Sequence, residues 1–154
     1  MKKIICALVA LFIIPVSVSA QDMKSDSDDG NVSEMMVKPQ SSFFDLTGLG
    51  SQVREYTSEK AARKLARQHI VVYFFAAAWC PTCRATYEDI RKNHESIPPD
   101  VIIIFVNYDN SDVLKMKYGI TMQHSYVQIG PNGEKIRAWS GSQTVANIVN
   151  YVKR

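Results

Sequence analysis

Two continuous apolar runs constrain the fold of this chain more than any other feature of its sequence. Residues 70–76 read IVVYFFA and residues 101–106 read VIIIFV, without alternating polar positions. Strands that are apolar at every position are typical of sheets covered on both faces. The segment between them begins a helix-like pattern at Cys80, which Pro98-Pro99 ends. Strand, helix and strand in this order predict a right-handed crossover in a layered α/β domain.

Further elements extend this unit on both sides. Ser58 is a predicted N-cap for the first of three further segments with helical character. These segments are residues 59–68, 111–118 and 144–153. Residues 125–129 and 135–139 have the character of strands around Gly130-Pro131-Asn132-Gly133, and Asn-Gly in that setting predicts a hairpin. The expected fold is α/β, with a mixed central sheet flanked by helices.

The first 42 residues differ from the rest. A basic start at Met1-Lys2-Lys3, an apolar stretch over residues 4–16 and small residues at Val18-Ser19-Ala20 predict a signal peptide over 1–20, cleaved after Ala20. The alternative is an uncleaved anchor, although a membrane span needs about 20 apolar residues. Residues 21–42 are rich in Asp and Ser, which predicts a flexible acidic linker before a folded domain over 43–154.

Cleavage of the leader would change both the cysteine count and the charge. It removes Cys6 and leaves Cys80 and Cys83 as the only thiols. It also removes Lys2 and Lys3, which lowers the 18 basic residues to 16 against 15 acidic ones, a net charge of +1. So small a net charge argues against nucleic acid as a partner. An exported protein with two closely spaced cysteines has no structural disulfide framework, so the pair itself is expected to carry redox chemistry.

The spacing of Cys80 and Cys83 indicates a redox site. The pair follows a buried strand and opens a helix, where free backbone N–H groups and the helix dipole stabilise a thiolate. Zinc sites share the Cys-x-x-Cys spacing, but they normally need a second ligand pair, and no further cysteine follows the leader.

The order of elements resembles the thioredoxin fold. Residues 79–85, WCPTCRA, resemble the active site of the exported cytochrome-c-maturation thioredoxins within the TlpA-like group. The resemblance covers about residues 55–154. It implies that Cys80 is the exposed nucleophile and that Cys83 resolves the mixed disulfide. It also implies that Trp79, Pro81, Thr82 and Arg84 are neighbours of the redox site. Trp79 would either shape the docking face or simply fill the core. Arg84 would either favour the thiolate or simply be a solvated charge.

Two departures from that resemblance concern charged residues. Thioredoxins keep a buried acid six positions before the first cysteine, and this chain has Phe74 there. The cytochrome-maturation relatives carry a glutamate six positions after it, and this chain has Thr86. The buried acid is therefore absent, and a role in haem maturation does not follow from the motif.

The third departure opens a different function. Thioredoxins place a cis-proline opposite the disulfide, and counting back from Pro131-Asn132-Gly133 against the TlpA-like pattern places His124-Ser125 at that Pro-Thr position. A cis bond before a non-proline residue costs about 3 to 4 kcal/mol, so a trans bond is expected. The segment from Gln123 resembles that of the Sco copper chaperones, in which a histidine joins two cysteines. Copper held by Cys80, Cys83 and His124 is then implied, although Sco proteins have three residues between their cysteines. His124 could instead act as an acid or base for the thiols.

The resemblance implies an enzyme, an exported protein-disulfide oxidoreductase that leans towards reduction. Its expected partners are cysteine-containing envelope proteins and a membrane electron donor, and we expect a periplasmic or secreted monomer. No cofactor is required unless copper binds. Two more functions are compatible with these residues. One is a Sco-like copper chaperone or copper-site thiol reductant, and the second is a module that uses the fold only for protein contact.

Overall fold

The computed structural model describes residues 43–154, so the predicted signal peptide and linker lie outside the described residues. The strands are β1 (Val53–Glu55), β2 (Ile70–Ala76), β3 (Val101–Asn107), β4 (Ser125–Ile129) and β5 (Lys135–Ser140). The helices are α1 (Glu59–Leu65), α2 (Pro81–Asn93), α3 (Asp112–Tyr118) and α4 (Val145–Tyr151), with a 3₁₀ turn at His94–Ser96 after α2. No helix within 43–154 is both long and apolar enough to span a bilayer.

The five strands form one mixed sheet in the order β1-β3-β2-β4-β5. Strands β1 and β2 run parallel to β3, as predicted for β2 and β3 from the two apolar runs. Strand β4 runs antiparallel to both β2 and β5. Strand β2 is the central strand of the sheet, and Cys80 follows its carboxyl end. Cys80 therefore lies near the middle of the row of strand ends on that side of the sheet.

The sheet is covered on both faces, which explains why β2 and β3 are apolar throughout. Val72 and Phe74 of β2 share a core with residues of α2 and α4, including Ile90 and Ile148. The alternate residues of β2, such as Tyr73, share a second core with α1 and α3. Successive side chains of a strand point to opposite faces, so a strand between two cores has no polar face.

The hairpin and the helix ends follow the predicted chemistry closely. The Gly133 N–H donates to the Gly130 carbonyl at 2.9 Å, and Gly133 has a φ of +79°, which glycine adopts without strain. The Ser58 hydroxyl accepts from the Ala61 N–H at 3.2 Å, which confirms it as the N-cap of α1. Strand β1 was not predicted, because only Val53 of its three residues is buried.

Candidate active site

The active-site helix α2 begins inside the Cys-x-x-Cys motif. Cys80 is its N-cap, and the Cys80 Sγ accepts a hydrogen bond from the backbone N–H of Cys83 at 3.3 Å. The Thr82 hydroxyl lies 3.1 Å from the same sulfur. Pro81 occupies the first turn, where its missing N–H had no partner to lose. The local sequence therefore directs free donors at the first cysteine.

The two thiols have opposite environments. Burial by itself raises the pKa of Cys80, but side-chain and backbone hydrogen bonds from Cys83 and Thr82 outweigh it, so the pKa lies below its usual value. Burial, and next the side chain of Cys80, raise the pKa of Cys83 to about 12. Cys80 is thus the thiol that ionises first, as a nucleophile must. Both cysteines are free thiols in this structure.

The surroundings of Cys80 are more exposed than the residue itself. Cys80 is only 2% exposed, which corrects the expectation of an exposed nucleophile, and its sulfur lies within hydrogen-bond distance of Thr82 and the Cys83 N–H. The adjacent Trp79 is 57% exposed, so it does not fill the core. Its indole N–H donates to the Asp109 carboxylate at 3.1 and 3.2 Å. An exposed aromatic side chain held beside a nucleophile suits contact with a protein substrate.

The sequence left two interpretations of Arg84, as a residue that favours the thiolate or as a solvated charge, and the structure shows hydrogen bonds to two backbone carbonyls. Its guanidinium donates to the carbonyls of Ala78 and Trp79 at 3.1 and 2.9 Å. The groups that shift the pKa of Cys80 are Cys83 and Thr82, and Arg84 is absent from them. Arg84 therefore holds the loop before the first cysteine.

Residues that are distant in sequence pack around Cys83 in the core, and we call this close-packed environment the pocket behind Cys83. Phe74 stacks on the ring of Tyr126 at 4.7 Å between centroids. The Tyr126 hydroxyl donates to the Ser142 carbonyl at 2.6 Å, and the Thr86 hydroxyl reaches the same carbonyl at 3.4 Å. Phe74 thus fills the position of the missing acid with an apolar ring.

His124 closes this pocket from the start of β4. Every peptide bond within 43–154 is trans, including the one before His124, as expected. Its φ is +60°, a left-handed conformation that costs about 1 kcal/mol or more for a non-glycine residue. Its backbone N–H donates to the Phe75 carbonyl at 2.8 Å. The next residue, Ser125, pairs with Phe75 across the sheet, and its hydroxyl donates to the Met122 carbonyl at 2.9 Å.

The imidazole of His124 is buried without hydrogen-bonding partners. The residue is 8% exposed, and neither ring nitrogen has a partner of normal geometry. The ring lies edge-on to Phe74 and Tyr126, at 5.6 and 5.7 Å between centroids. Burial lowers the pKa of His124, and the nearby backbone of Ser142 opposes this shift. The ring is therefore neutral at pH 7.

The predicted copper ligands do not form a metal centre in this arrangement. Within residues 43–154 no three His, Cys, Asp or Glu side chains are grouped so that they could hold a metal ion. Cys80 and Cys83 lie together, but the imidazole of His124 packs among aromatic rings. The geometry does not fit a three-ligand copper site.

Several residues of the site were not predicted from the sequence. The sequence alone assigns no role to Asp109, Tyr126 or Ser142. A signal existed for Asp109, since the apolar run of β3 ends just before it and parallel strands end at the same sheet edge. No sequence pattern links Tyr126 to Ser142.

The fold and the asymmetric thiol pair define a domain for thiol–disulfide exchange, and comparisons with known proteins agree. The family model described as Thioredoxin matches residues 52–154. A thioredoxin-like protein of Fusarium culmorum is 32% identical over 95 residues, which is 54% of this chain and 77% of that protein. The chain belongs to the thioredoxin family, and with Cys80 and Cys83 at the start of α2 it is a thioredoxin-like thiol–disulfide oxidoreductase.

Solved structures support the same assignment. The reduced thioredoxin pre-protein of Schistosoma mansoni is 26% identical with a TM-score of 0.51, over 65% of this chain and 94% of that one. Trxlp from Edwardsiella tarda has a TM-score of 0.54 over 66% of this chain and 99% of that one, at 18% identity. The latter likeness shows the fold alone.

Proposed function

We propose that this protein is an exported thiol–disulfide reductant of cysteine-containing envelope proteins, related to the TlpA-like group and kept reduced by a membrane electron donor. The observation that carries the reducing direction is the kind of stabilisation that Cys80 receives. Its thiolate is favoured by hydrogen bonds from Cys83 and Thr82, and no charged group is among them.

Redox poise follows from how well the dithiol form is stabilised. A strongly oxidising pair such as that of DsbA owes its potential to a stabilised reduced form. Here Cys83 sits in an apolar pocket that raises its pKa to about 12, and Arg84 is occupied with backbone carbonyls. Weak stabilisation of the reduced form makes the pair a better electron donor.

The reduction potential of the Cys80–Cys83 couple tests this direction. Equilibration of the protein in dithiol redox buffers, followed by mass analysis of alkylated thiols, should give a value near that of thioredoxin, about −270 mV. A value near that of DsbA, about −120 mV, contradicts the reducing assignment. The control is Arg84→Gln, whose potential should differ by less than about 30 mV, the equivalent of 1.4 kcal/mol.

Export and partners need separate experiments. The full chain expressed in a bacterium with an outer membrane should appear in the periplasmic fraction with the mass expected after cleavage at Ala20. Recovery of the uncleaved chain in the cytoplasm contradicts export. Cys83→Ser leaves the nucleophile without its resolving thiol, so envelope proteins reduced by this chain should be recovered from that variant as mixed disulfides.

A further inference from the structure

The thiol of Cys83 must lose a proton inside the protein. Cys83 is 0% exposed, so bulk water does not reach its sulfur. Its pKa of about 12 means that a negligible fraction is ionised at pH 7. Exchange at Cys80 nevertheless ends with Cys83 attacking as a thiolate, so a base close to the Cys83 sulfur would promote resolution.

Most residues of that pocket are unable to accept a proton. Phe74 is apolar, and Thr86 and Ser142 contribute only a hydroxyl and a carbonyl. Burial raises the pKa of Tyr126 far above its usual value, and its hydroxyl already donates to Ser142. The titratable groups that face the pocket are the two thiols, Tyr126 and His124, and among residues 43–154 no carboxylate or cationic side chain acts on the titration of His124.

His124 carries two costs that packing alone does not explain. Neither of its buried ring nitrogens has a hydrogen bond of normal geometry, and leaving a buried polar group unpaired is costly. Its backbone is in the left-handed region. Costs of this kind concentrate at functional residues. The ring of His124 contacts Phe74 and Tyr126, and both of these residues lie in the same core cluster as Cys83, so the imidazole borders the surroundings of the reacting thiol. The backbone of His124 also favours the Cys83 thiolate.

We propose that His124 accepts the proton of Cys83 during resolution of the mixed disulfide. This rests on the proposed thiol–disulfide exchange. The Cys80 thiolate first attacks a substrate disulfide, forms a Cys80–substrate disulfide and releases one substrate thiolate. Cys83 then passes its proton to His124 through one water molecule, as its sulfur attacks the Cys80 sulfur. The bond to the substrate breaks, the second substrate thiolate leaves, and Cys80–Cys83 is oxidised while the substrate gains two electrons. The proton on His124 returns to the solvent.

The aromatic disulfide dithiobis(nitrobenzoate), added in equal amount to the reduced protein, separates the two steps. Cys80 releases the first coloured thiolate, and attack by Cys83 releases the second. His124→Asn tolerates the left-handed backbone and removes the base. It should leave the first phase within about threefold and slow the second about 100-fold at pH 7. The second phase of the normal protein should rise with deprotonation of His124 and then level off, whereas that of the variant should keep rising with pH.

The control is His69→Asn, because His69 also has a buried ring nitrogen without a partner but lies at the opposite end of β2. Both phases of this variant should match the normal protein. A second phase in His124→Asn within twofold of normal across pH 5 to 9 overturns the proposal. Loss of the first phase in the normal protein would instead contradict the proposed function.

A measurement on the unchanged protein covers the case in which His124→Asn does not fold. The His124 imidazole should titrate differently, by NMR, in the reduced and oxidised forms, because oxidation removes the Cys83 thiol from the core cluster that the ring borders. The same titration in both forms overturns the proposal.

Discussion

The surroundings of the two cysteines are built on different principles. Around Cys80 the donors are local, since Thr82 and the Cys83 N–H come from the same turn of α2. Around Cys83 the groups come from four separate parts of the chain and are mostly apolar. The first environment lowers the pKa of Cys80 and so favours its thiolate. The second raises the pKa of Cys83 and keeps that thiol protonated until resolution. Both residues carry the same thiol group, so it is their different surroundings that make Cys80 the attacking residue and Cys83 the resolving one.

The largest effect should come from removing the first thiol. Cys80→Ser should lower insulin-disulfide reduction to the uncatalysed rate, because Cys83 is buried and protonated. Cys83→Ser should also stop turnover but accumulate mixed disulfides, which non-reducing electrophoresis detects. Measurable turnover by Cys80→Ser would mean that the division between the two environments is wrong.

The pocket behind Cys83 should matter most for stability. Phe74 is fully buried and packs on Phe105 and Tyr126, so Phe74→Ala should lower the free energy of unfolding by about 3 to 5 kcal/mol. Denaturant unfolding of the full chain measures this loss. The control is Met116→Ala, since Met116 is 77% exposed and its loss should change stability by less than about 0.5 kcal/mol. Equal losses in both variants would show that the pocket is not close-packed.

The same division explains what the sequence could predict. The strands β2 and β3, the N-cap at Ser58 and the thiol pair follow from local patterns, and the structure confirms each of these elements. The pocket does not follow, because Thr86, Tyr126 and Ser142 meet only after α2, β4 and the segment before α4 have packed together. The partner of Arg84 could not be predicted either, because it is a backbone carbonyl and every residue has one.

A smaller effect should follow from weakening the donors at Cys80. Thr82→Val removes a hydroxyl 3.1 Å from the sulfur, so the pKa of Cys80 should rise. A higher pKa leaves less thiolate at pH 7, and alkylation by iodoacetamide should slow there severalfold while its pH midpoint moves upward. The rate well above the midpoint should not fall, because a more basic thiolate is a better nucleophile. A midpoint that stays unchanged would remove Thr82 from the environment of Cys80.

The smallest effect should appear at Trp79, whose exposed ring we expect to contact a protein substrate without contacting the reacting sulfur. The indole is exposed and held by Asp109, so Trp79→Ala should remove contact area from a protein substrate. KM for insulin should rise severalfold, with little change in the first-phase rate with dithiobis(nitrobenzoate), which is too small to need that surface. Asp109→Ala should have the same effect in weaker form, since it frees the ring without removing it. If Trp79→Ala slows the reaction with both substrates equally, Trp79 affects the reactivity of the Cys80 thiol and does not act only through contact with the protein substrate.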